Sequence, residues 1–517
     1  ARSSGSKCGS VGQGSGCGPT PTSFVWSVAT TEPYRRTAAA GSSVDFVQFE
    51  PIEDVDAIDA IDEATHAAFV ALTGDRNPLH VDALAARRLQ FGERAVHGVH
   101  LVMRALATLD SVADLAGLRC SRVRTRFLHS VPVGGGLRVE VDAAGEREWV
   151  VRLLHDVWIA AEVRVWMEAG EPEPTLGSPR QWPADRVPVD RTNEALEGAV
   201  VEVPLVVVDE PEGPFSDITA DLLTLTRLVG MEMPGLHSLF SQFDISRTNA
   251  GAGIDALSST VTEFDDRFGK ITMHVIGATL GGTVTAFVRP APTSQPSPDE
   301  WSAHPAATEF AGQRALVVGG TRGLGEVTAG LLAAGGAQVT VTYRHGAADA
   351  QRVVDALAGD GHAVIELDVS NRQQVGALRT AVPGVTHLYY FASPPIFRGV
   401  NGVYSNALFN EFRSVYVAAF DAVVGALDPA GLIGVLLPSS VAVDRVVGGM
   451  AEYADAKRLA EARADELAAE HPHLSVIRPR FPRLDTDQTA SLLPAETGDA
   501  VAELLPALRS MAEPHPG

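Results

Sequence analysis

The chain has 517 residues, of which 45% are hydrophobic and 20% charged, a composition that excludes wholesale disorder and a length that predicts about three domains, each burying its own core. Its 64 acidic residues exceed its 41 basic ones, for a formal net charge of −23, so its field repels nucleic acid and anionic membrane and neither is expected as a partner. No apolar run approaches the roughly 18 to 20 residues that cross a bilayer and no signal-peptide layout opens the chain, which predicts a cytoplasmic protein.

Residues 1–42, rich in Gly, Ser and Pro over 1–24, read as a flexible tail that holds Cys8 and Cys17. These two thiols can pair, bind a metal or stand as stray tail cysteines. With only Cys120 besides, there is no disulfide framework, and no metal is expected. Only three of the basic residues are lysine, Lys7, Lys270 and Lys457, so each departs from the chain's habit.

The alternating run Val44–Phe49 predicts a strand, 64–72 a helix, and Gly74, Asp75, Asn77 and Pro78 a loop. Helical spacing follows over 98–113. Strands are expected over 122–167, broken at Gly134–Gly136 and at Ala144-Gly145. Five prolines within 171–190 mark a linker. Beyond it the spacing predicts a strand over 200–208, a helix over 217–230, a helix opened by Gly235, and strands over 256–264, 270–277 and 281–289. The organisation repeats. The segment His97 to Met103 aligns with Pro234 to Phe240, which places His100 and His237 at equivalent helix positions, read as packing. Domains are therefore expected at 43–180 and 190–291, with a linker at 292–312 and a third domain at 313–517. In that third domain six apolar runs, 315–318, 338–343, 363–367, 387–391, 432–437 and 474–477, alternate with helical patterns and predict a doubly wound parallel sheet.

The most specific stretch is Leu72-Thr73-Gly74-Asp75-Arg76-Asn77-Pro78-Leu79-His80-Val81-Asp82, with His97-Gly98 following. Adding water to an enoyl thioester, or removing it from a 3-hydroxyacyl thioester, needs proton transfers at C2 and at the C3 oxygen, so an acid and a base must face one substrate edge. An Asp and a His five residues apart on a proline-stiffened loop can do this. Asp-x-Asn-Pro is also ordinary turn chemistry, in which Asp75 merely caps. The stretch closely resembles the MaoC-like hot-dog proteins, (R)-specific enoyl-thioester hydratases and dehydratases, over about 43–170. Residues 200–290 look like the partner half of an α+β double hot-dog without the catalytic loop. The resemblance implies Asp75 and His80 as acid and base, Asn77 as the residue orienting the loop, and the Gly98 N–H as a donor to the enolate-like thioester oxygen.

After the run Ala315–Val318 comes Gly319-Gly320-Thr321-Arg322-Gly323-Leu324-Gly325, whose glycines let backbone approach a pyrophosphate at a helix N-terminus. Downstream lie Ser440 and Tyr453-Ala454-Asp455-Ala456-Lys457. A tyrosine donates a proton to a reduced carbonyl more readily when a cation one helical turn away lowers its pKa. Together these residues make 313–517 resemble a short-chain dehydrogenase/reductase of the ketoacyl reductase type, hence a Rossmann-type α/β domain. The resemblance implies Tyr453 as acid, Lys457 as its tuning cation and nicotinamide-ribose ligand, and Ser440 as a carbonyl donor. It also implies Gly319, Thr321, Arg322, Gly323, Leu324, Gly325, Asp368, Val369 and Ala392 around the cofactor. Arg322 and Arg344 stand where a 2'-phosphate would be held, which favours NADPH over NAD. Three departures stand out. Tyr390-Phe391-Ala392-Ser393 replaces Asn-Asn-Ala-Gly, the family's helical asparagine is missing near Val415-Tyr416, and no glycine-bearing last strand follows Arg478-Pro479.

The two resemblances imply consecutive steps: β-keto reduction, then dehydration, of an acyl thioester on coenzyme A or an acyl carrier protein, in fatty-acid or polyketide-type biosynthesis. The same pair of activities in the β-oxidation direction is the alternative, as is an active hydratase joined to a degenerate cofactor-binding module. Arg119, Arg122, Arg124 and Arg126 read either as contacts for the carrier or as one solvated strand face. A homodimer is compatible with the reading.

Overall fold

The computed structural model describes residues 54–512 apart from 59, 90–91, 157, 174–179, 209–211, 249–253, 293–294 and 490–495. The expected tail, Cys8, Cys17 and the strand expected at Val44–Phe49 lie outside the described residues.

Among the described residues, ten strands form one antiparallel sheet. In chain order they are β1 (Asp54–Ile58), β2 (Leu118–Phe127), β3 (Leu137–Gly145), β4 (Glu148–His155), β5 (Trp158–Ala169), β6 (Val200–Pro204), β7 (Ser238–Arg247), β8 (Ala256–Asp265), β9 (Lys270–Ile276) and β10 (Leu280–Val288). Their lateral order, β1-β3-β4-β5-β2-β7-β10-β9-β8-β6, is a mirrored repeat about the β2–β7 seam. There Arg122 pairs with Ser246 and Arg124 with Asp244 in register. Arg122 and Arg124 both close on the Asp244 carboxylate, Arg122 through Nε at 2.7 Å and Arg124 through Nε at 2.8 Å, so these two arginines act at the seam.

Each half of the sheet carries a helix. The first half has α1 (Glu63–Thr73), two short turns α2 (Pro78–Val81) and α3 (Ala83–Arg87), and the long α4 (Gly98–Val112); the second has α5 (Thr219–Arg227), which runs into a π-helical turn over Leu228–Glu232. Val99, Val102, Leu106 and Leu109 of α4 and Leu222 and Leu225 of α5 share one core with Val123, Val151, Val163, Phe243, Ile245 and Val284 of the sheet. Each such side chain, removed from water, stabilises the fold by about 1.5–3 kcal/mol.

The expected helix opened by Gly235 is absent, and residues 238–247 are strand β7. Gly235 sits at φ 87° in the turn before it. Inward Phe243 and Ile245 alternate with the more exposed Gln242 and Asp244, a period of two that overrides the local likeness to His97–Met103. The helix matching α4 is α5 with its π turn. His100 lies in α4 and His237 in the turn before β7, so they are not equivalent. The expected linker is also partly structural: Val189 donates to the Met231 carbonyl and accepts from the Leu236 N–H.

Asp221, buried in α5, accepts the backbone N–H groups of Ala278, Thr279 and Leu280 at 2.8, 2.8 and 2.7 Å, tying the β9–β10 turn to the helix. Asp221→Ala leaves three buried donors unpaired and is expected to cost about 3 kcal/mol or more, read as a lower urea midpoint.

The C-terminal sheet is wholly parallel. It contains β11 (Arg314–Val318), β12 (Gln338–Tyr343), β13 (Ala363–Glu366), β14 (His387–Tyr390), β15 (Gly434–Leu436) and, after the short β16 (Ser439–Ser440), β17 (Ser475–Ile477); β16 pairs separately with β18 (Arg480–Phe481). The order is β13-β12-β11-β14-β15-β17. All six expected runs are strands. Leu316, Val318, Leu388, Tyr390 and Val435 face Phe412, Phe420 and Ala460 on helices of one side, while Val317, Val339, Val341, Tyr389 and Leu436 face Val327, Leu331 and Leu504 on the other. Near-continuous apolar strands follow from burial on both faces. The chain reverses direction across the sheet between β11 and β14, which opens a crevice at their C-terminal ends. Among the described residues no helix is long and apolar enough to cross a membrane.

Candidate active sites

The first site forms where the loop after α1 meets the second half. Asp62 caps α1 through its carboxylate, 2.8 Å from the Thr65 N–H, and the helix stops at Gly74 in the left-handed region, φ 64°. A Cβ there would also lie 2.4 Å from Trp182 and 2.6 Å from Arg227. Asp75 follows, 1% exposed. One of its carboxylate oxygens accepts from Thr226 Oγ1 at 2.8 Å and the other from the Asn77 N–H at 3.2 Å. Gly230 in the π turn packs against it so closely that a Cβ would stand 2.3 Å from Oδ1.

Asn77 caps α2 by accepting from the Leu79 N–H at 3.1 Å, and its Nδ2 donates to the Gly230 and Gly235 carbonyls at 2.9 and 3.1 Å. Through it the second half holds the loop. Arg227, 1% exposed, donates to the Gly74 carbonyl at 2.8 Å and stacks 3.8 Å from the Trp182 ring centre, while Trp182 Nε1 donates to the Leu72 carbonyl at 2.9 Å.

His80 Nδ1 lies 2.7 Å from the Ala95 carbonyl. A carbonyl only accepts, so Nδ1 carries the proton and Nε2 keeps its lone pair. Fully buried His97 stacks on His80 with ring centres 3.7 Å apart, and its Nε2 donates to the Asp75 carbonyl oxygen at 3.2 Å, 3.6 Å from Oδ2 of the same residue. The acid and base expected from the loop thus come together, with His97 between them. Gly98 opens α4, where first-turn N–H groups lack intrahelical partners; a Cβ on it would lie 2.9 Å from the Phe127 ring.

Burial pushes the Asp75 carboxyl up to about 6 and the His80 imidazole down to about 4, and holds His97 well below its ordinary value. Between about pH 4 and about pH 6 a protonated carboxyl stands beside a neutral imidazole, the pairing a proton donor and acceptor need. Ligand atoms of Asp75, His80 and His97 lie within 4.8 Å of one another, so this trio is also within reach of a single metal ion. The contributions of Thr226, Arg227, Gly230 and Trp182 had no signal in the loop's own spacing. His97 did, as the residue before Gly98.

The second site lies at the crevice of the parallel sheet. Gly319 has φ 78° and donates to Thr342 Oγ1 at 3.1 Å. A Cβ on Gly325 would stand 2.3 Å from the Gly319 carbonyl oxygen, so the turn tolerates only glycine there. Gly323 opens the helix Gly323–Ala334, with Arg322 at its N-cap, Thr321 buried and Leu324 half-buried. A tight glycine turn feeding a helix N-terminus fits a pyrophosphate. Arg322, expected to face a phosphate, donates to the Arg87 carbonyl of the first half and lies 3.7 Å from Asp487. Arg344 is largely exposed at the end of β12, 3.6 Å from Asp368. The Asp368 carboxylate accepts the Ser370 N–H at 2.9 Å. Val369 and Ala392 are half-buried against the core.

Tyr453 and Lys457 lie on the helix Ala451–Glu470, both buried, and the nearby Ser440 hydroxyl favours the ionised form of the Tyr453 phenol, against burial. Lys457 was expected to lower the Tyr453 pKa; the groups that move that phenol are its burial and Ser440. Burial pushes the phenol up to about 12 and brings the Lys457 ammonium down to about 7. Lys457 Nζ donates to the Pro438 carbonyl at 2.9 Å and sits over Tyr416, 3.8 Å from that ring centre and 5.8 Å from that of Tyr453. Tyr416 stands on a π-helical turn, Ser414–Ala419, at the point where the family's asparagine is missing, and its hydroxyl is 2.7 Å from Ser393 Oγ.

Residues 37–156 match the family described as MaoC like domain. Over 70 residues the chain is 43% identical to "Uncharacterized oxidoreductase YgfF" of Escherichia coli (strain K12), a match covering 13% of this chain and 28% of that protein. Among solved structures it is similar to the E. coli oxidoreductase yciK, at 19% identity and a TM-score of 0.37 over 40% of this chain and 92% of the other. It is likewise similar to a short chain dehydrogenase from Salmonella enterica serovar Typhi, at 20% identity and a TM-score of 0.36 over 40% and 93%. Residues 37–156 are thus similar to the MaoC like domain, and the chain's match spans 28% of the length of the curated relative.

Proposed function

We propose that the chain is a two-site enzyme of acyl-thioester metabolism, in which a Rossmann-type domain at 313–517 reduces a 3-ketoacyl thioester and a double hot-dog at 43–291 dehydrates the product to a trans-2-enoyl thioester. The carrying observation is that buried Asp75 and half-buried His80 bring their proton-exchanging atoms within 4.8 Å of each other, with their proton affinities pushed in opposite directions. In dehydration His80 Nε2 takes the C2 proton, and the Asp75 carboxyl gives its proton to the departing C3 oxygen, which leaves as water. The Gly98 N–H faces the thioester oxygen as its charge grows. Hydration runs the same transfers backwards.

Both directions need one proton shared by the pair, and the free enzyme holds one between about pH 4 and about pH 6. The expected pH profile of kcat/KM for hydration is a bell, its acid limb set by His80 and its alkaline limb, near 6, by Asp75. Asp75→Asn variants that kept the alkaline limb would contradict the assignment.

For reduction, NADPH supplies the hydride when bound at the glycine turn. Tyr453 would deliver the proton to the carbonyl oxygen, Ser440 would orient that oxygen, and Lys457, when protonated, would place positive charge near the phenol. Arg344 supports NADPH over NAD. The substrate arm, coenzyme A or carrier protein, is offered as both in the test: a short 3-ketoacyl thioester on each, with NADPH or NADH, followed by cofactor absorbance and product mass. NADPH loss with an enoyl product supports the reading. Hydration of a supplied enoyl thioester without any reduction favours a second reading, a hydratase with a cofactor-binding module, which the Lys457–Pro438 bond and Tyr416 motivate.

A further inference from the structure

The segment that carries His80 continues into the nucleotide-binding half. Asp82 caps α3 by accepting from the Leu84 and Ala85 N–H groups at 2.8 and 3.0 Å, and α3 ends on Arg87, with Arg88 after it. Arg87 donates to the His345 carbonyl and, at 2.8 Å, to Asp349; Arg88 closes on the other oxygen of Asp349. Arg322 returns the contact by donating to the Arg87 carbonyl. Gly346 makes room for this approach, since a Cβ there would lie 2.8 Å from Leu84 and 3.0 Å from the Arg87 guanidinium.

Two guanidiniums of the first half thus close on the turn one residue past Arg344, with Arg322 bound to the backbone of one of them, at the place where an adenosine 2'-phosphate is held in sheets of this kind. They face two carboxylates, Asp349 and Asp487. Glu326, which faces the same cluster, is matched by Arg352 at 2.9 Å, and Arg344 by Asp368 at 3.6 Å. Among the described residues one cation of this cluster is in excess. The Arg87 and Arg88 side chains are 14% and 34% exposed, sheltered enough for an uncompensated charge to be costly and open enough for an anion to reach them. A guanidinium has five donors, and the contacts above leave each fork with capacity for a phosphate.

We propose that Arg87 and Arg88 of the MaoC-like half complete the binding site for the 2'-phosphate of the dinucleotide, together with Arg322 and Arg344, so that the preference for a phosphorylated cofactor is set by both halves. The proposal rests on the reading that the glycine turn holds a nicotinamide dinucleotide. It is tested by titrating NADPH and NADH into the full chain by calorimetry, for wild type, the Arg87→Gln/Arg88→Gln double variant and Arg88→Gln alone, with NADH affinity and thermal melting as controls for folding. The expected result is a loss of about tenfold or more in NADPH affinity in the double variant, a smaller loss in Arg88→Gln, and NADH affinity unchanged. Unchanged NADPH affinity, or equal losses for both nucleotides, overturns the composite site and leaves the cofactor reading standing. Wild type that binds neither nucleotide overturns both.

Discussion

Asp75→Asn is expected to lower kcat/KM for hydration of a trans-2-enoyl thioester by about 10²–10⁴-fold, the span one positioned proton-transfer group contributes. The amide keeps the shape: its one oxygen accepts from the Asn77 N–H, and its NH2 donates to the Thr226 hydroxyl, which turns from donor to acceptor, so the loop should hold while the proton-exchanging group is lost. The same substitution carries an opposite effect on stability. Folding raises the Asp75 carboxyl from its ordinary 3.8 to about 6, so the native state binds this proton more tightly than the unfolded state. Stability is then lost as pH rises through that window, by about 3 kcal/mol once both states are ionised. Asp75→Asn escapes this loss. It is expected to match wild type near pH 3.5 and to exceed it in urea midpoint at pH 8. A variant less stable than wild type at pH 8 would mean that the carboxylate is a net structural asset.

Tyr453→Phe is expected to abolish reduction of a 3-ketoacyl thioester to a similar degree, about 10²–10⁴-fold in kcat, with nucleotide affinity and hydration at the other site unchanged. Removing the hydroxyl leaves the ring, its edge contact with Tyr416 at 5.9 Å and the Lys457–Pro438 bond in place. A drop in reduction therefore reports the missing proton. Retained reduction would move the proton donor elsewhere, and Tyr416, beneath Lys457 and bonded to Ser393, is the nearest alternative hydroxyl. A pH profile of reduction reads the Tyr453 proton directly, against the about 12 to which burial pushes it.

The sequence by itself determined whatever depends on neighbours a few positions apart. The six apolar runs of the parallel sheet, the glycine turn before the helix at Gly323, the Asp75-to-His80 loop and the helix turn between Tyr453 and Lys457 were all legible, because a period of two, a period of 3.6 and a turn each leave a local trace. A local trace also misled at Gly235, where seven positions imitated a helix start and the period of the following strand decided otherwise. What holds Asp75 and His80 in place depends on packing between segments far apart in the chain. Thr226, Gly230 and Arg227 reach Asp75 and Gly74 from about 150 residues away because β2 pairs with β7 and brings α5 against α1, and Trp182 joins them from a segment that read as a linker. Burial, which sets the proton affinities of Asp75, His80, Tyr453 and Lys457, is a property of that packing. Spacing along a chain specifies which groups share an element; desolvation and long-range contact, which give those groups their chemistry, exist only once the elements have packed.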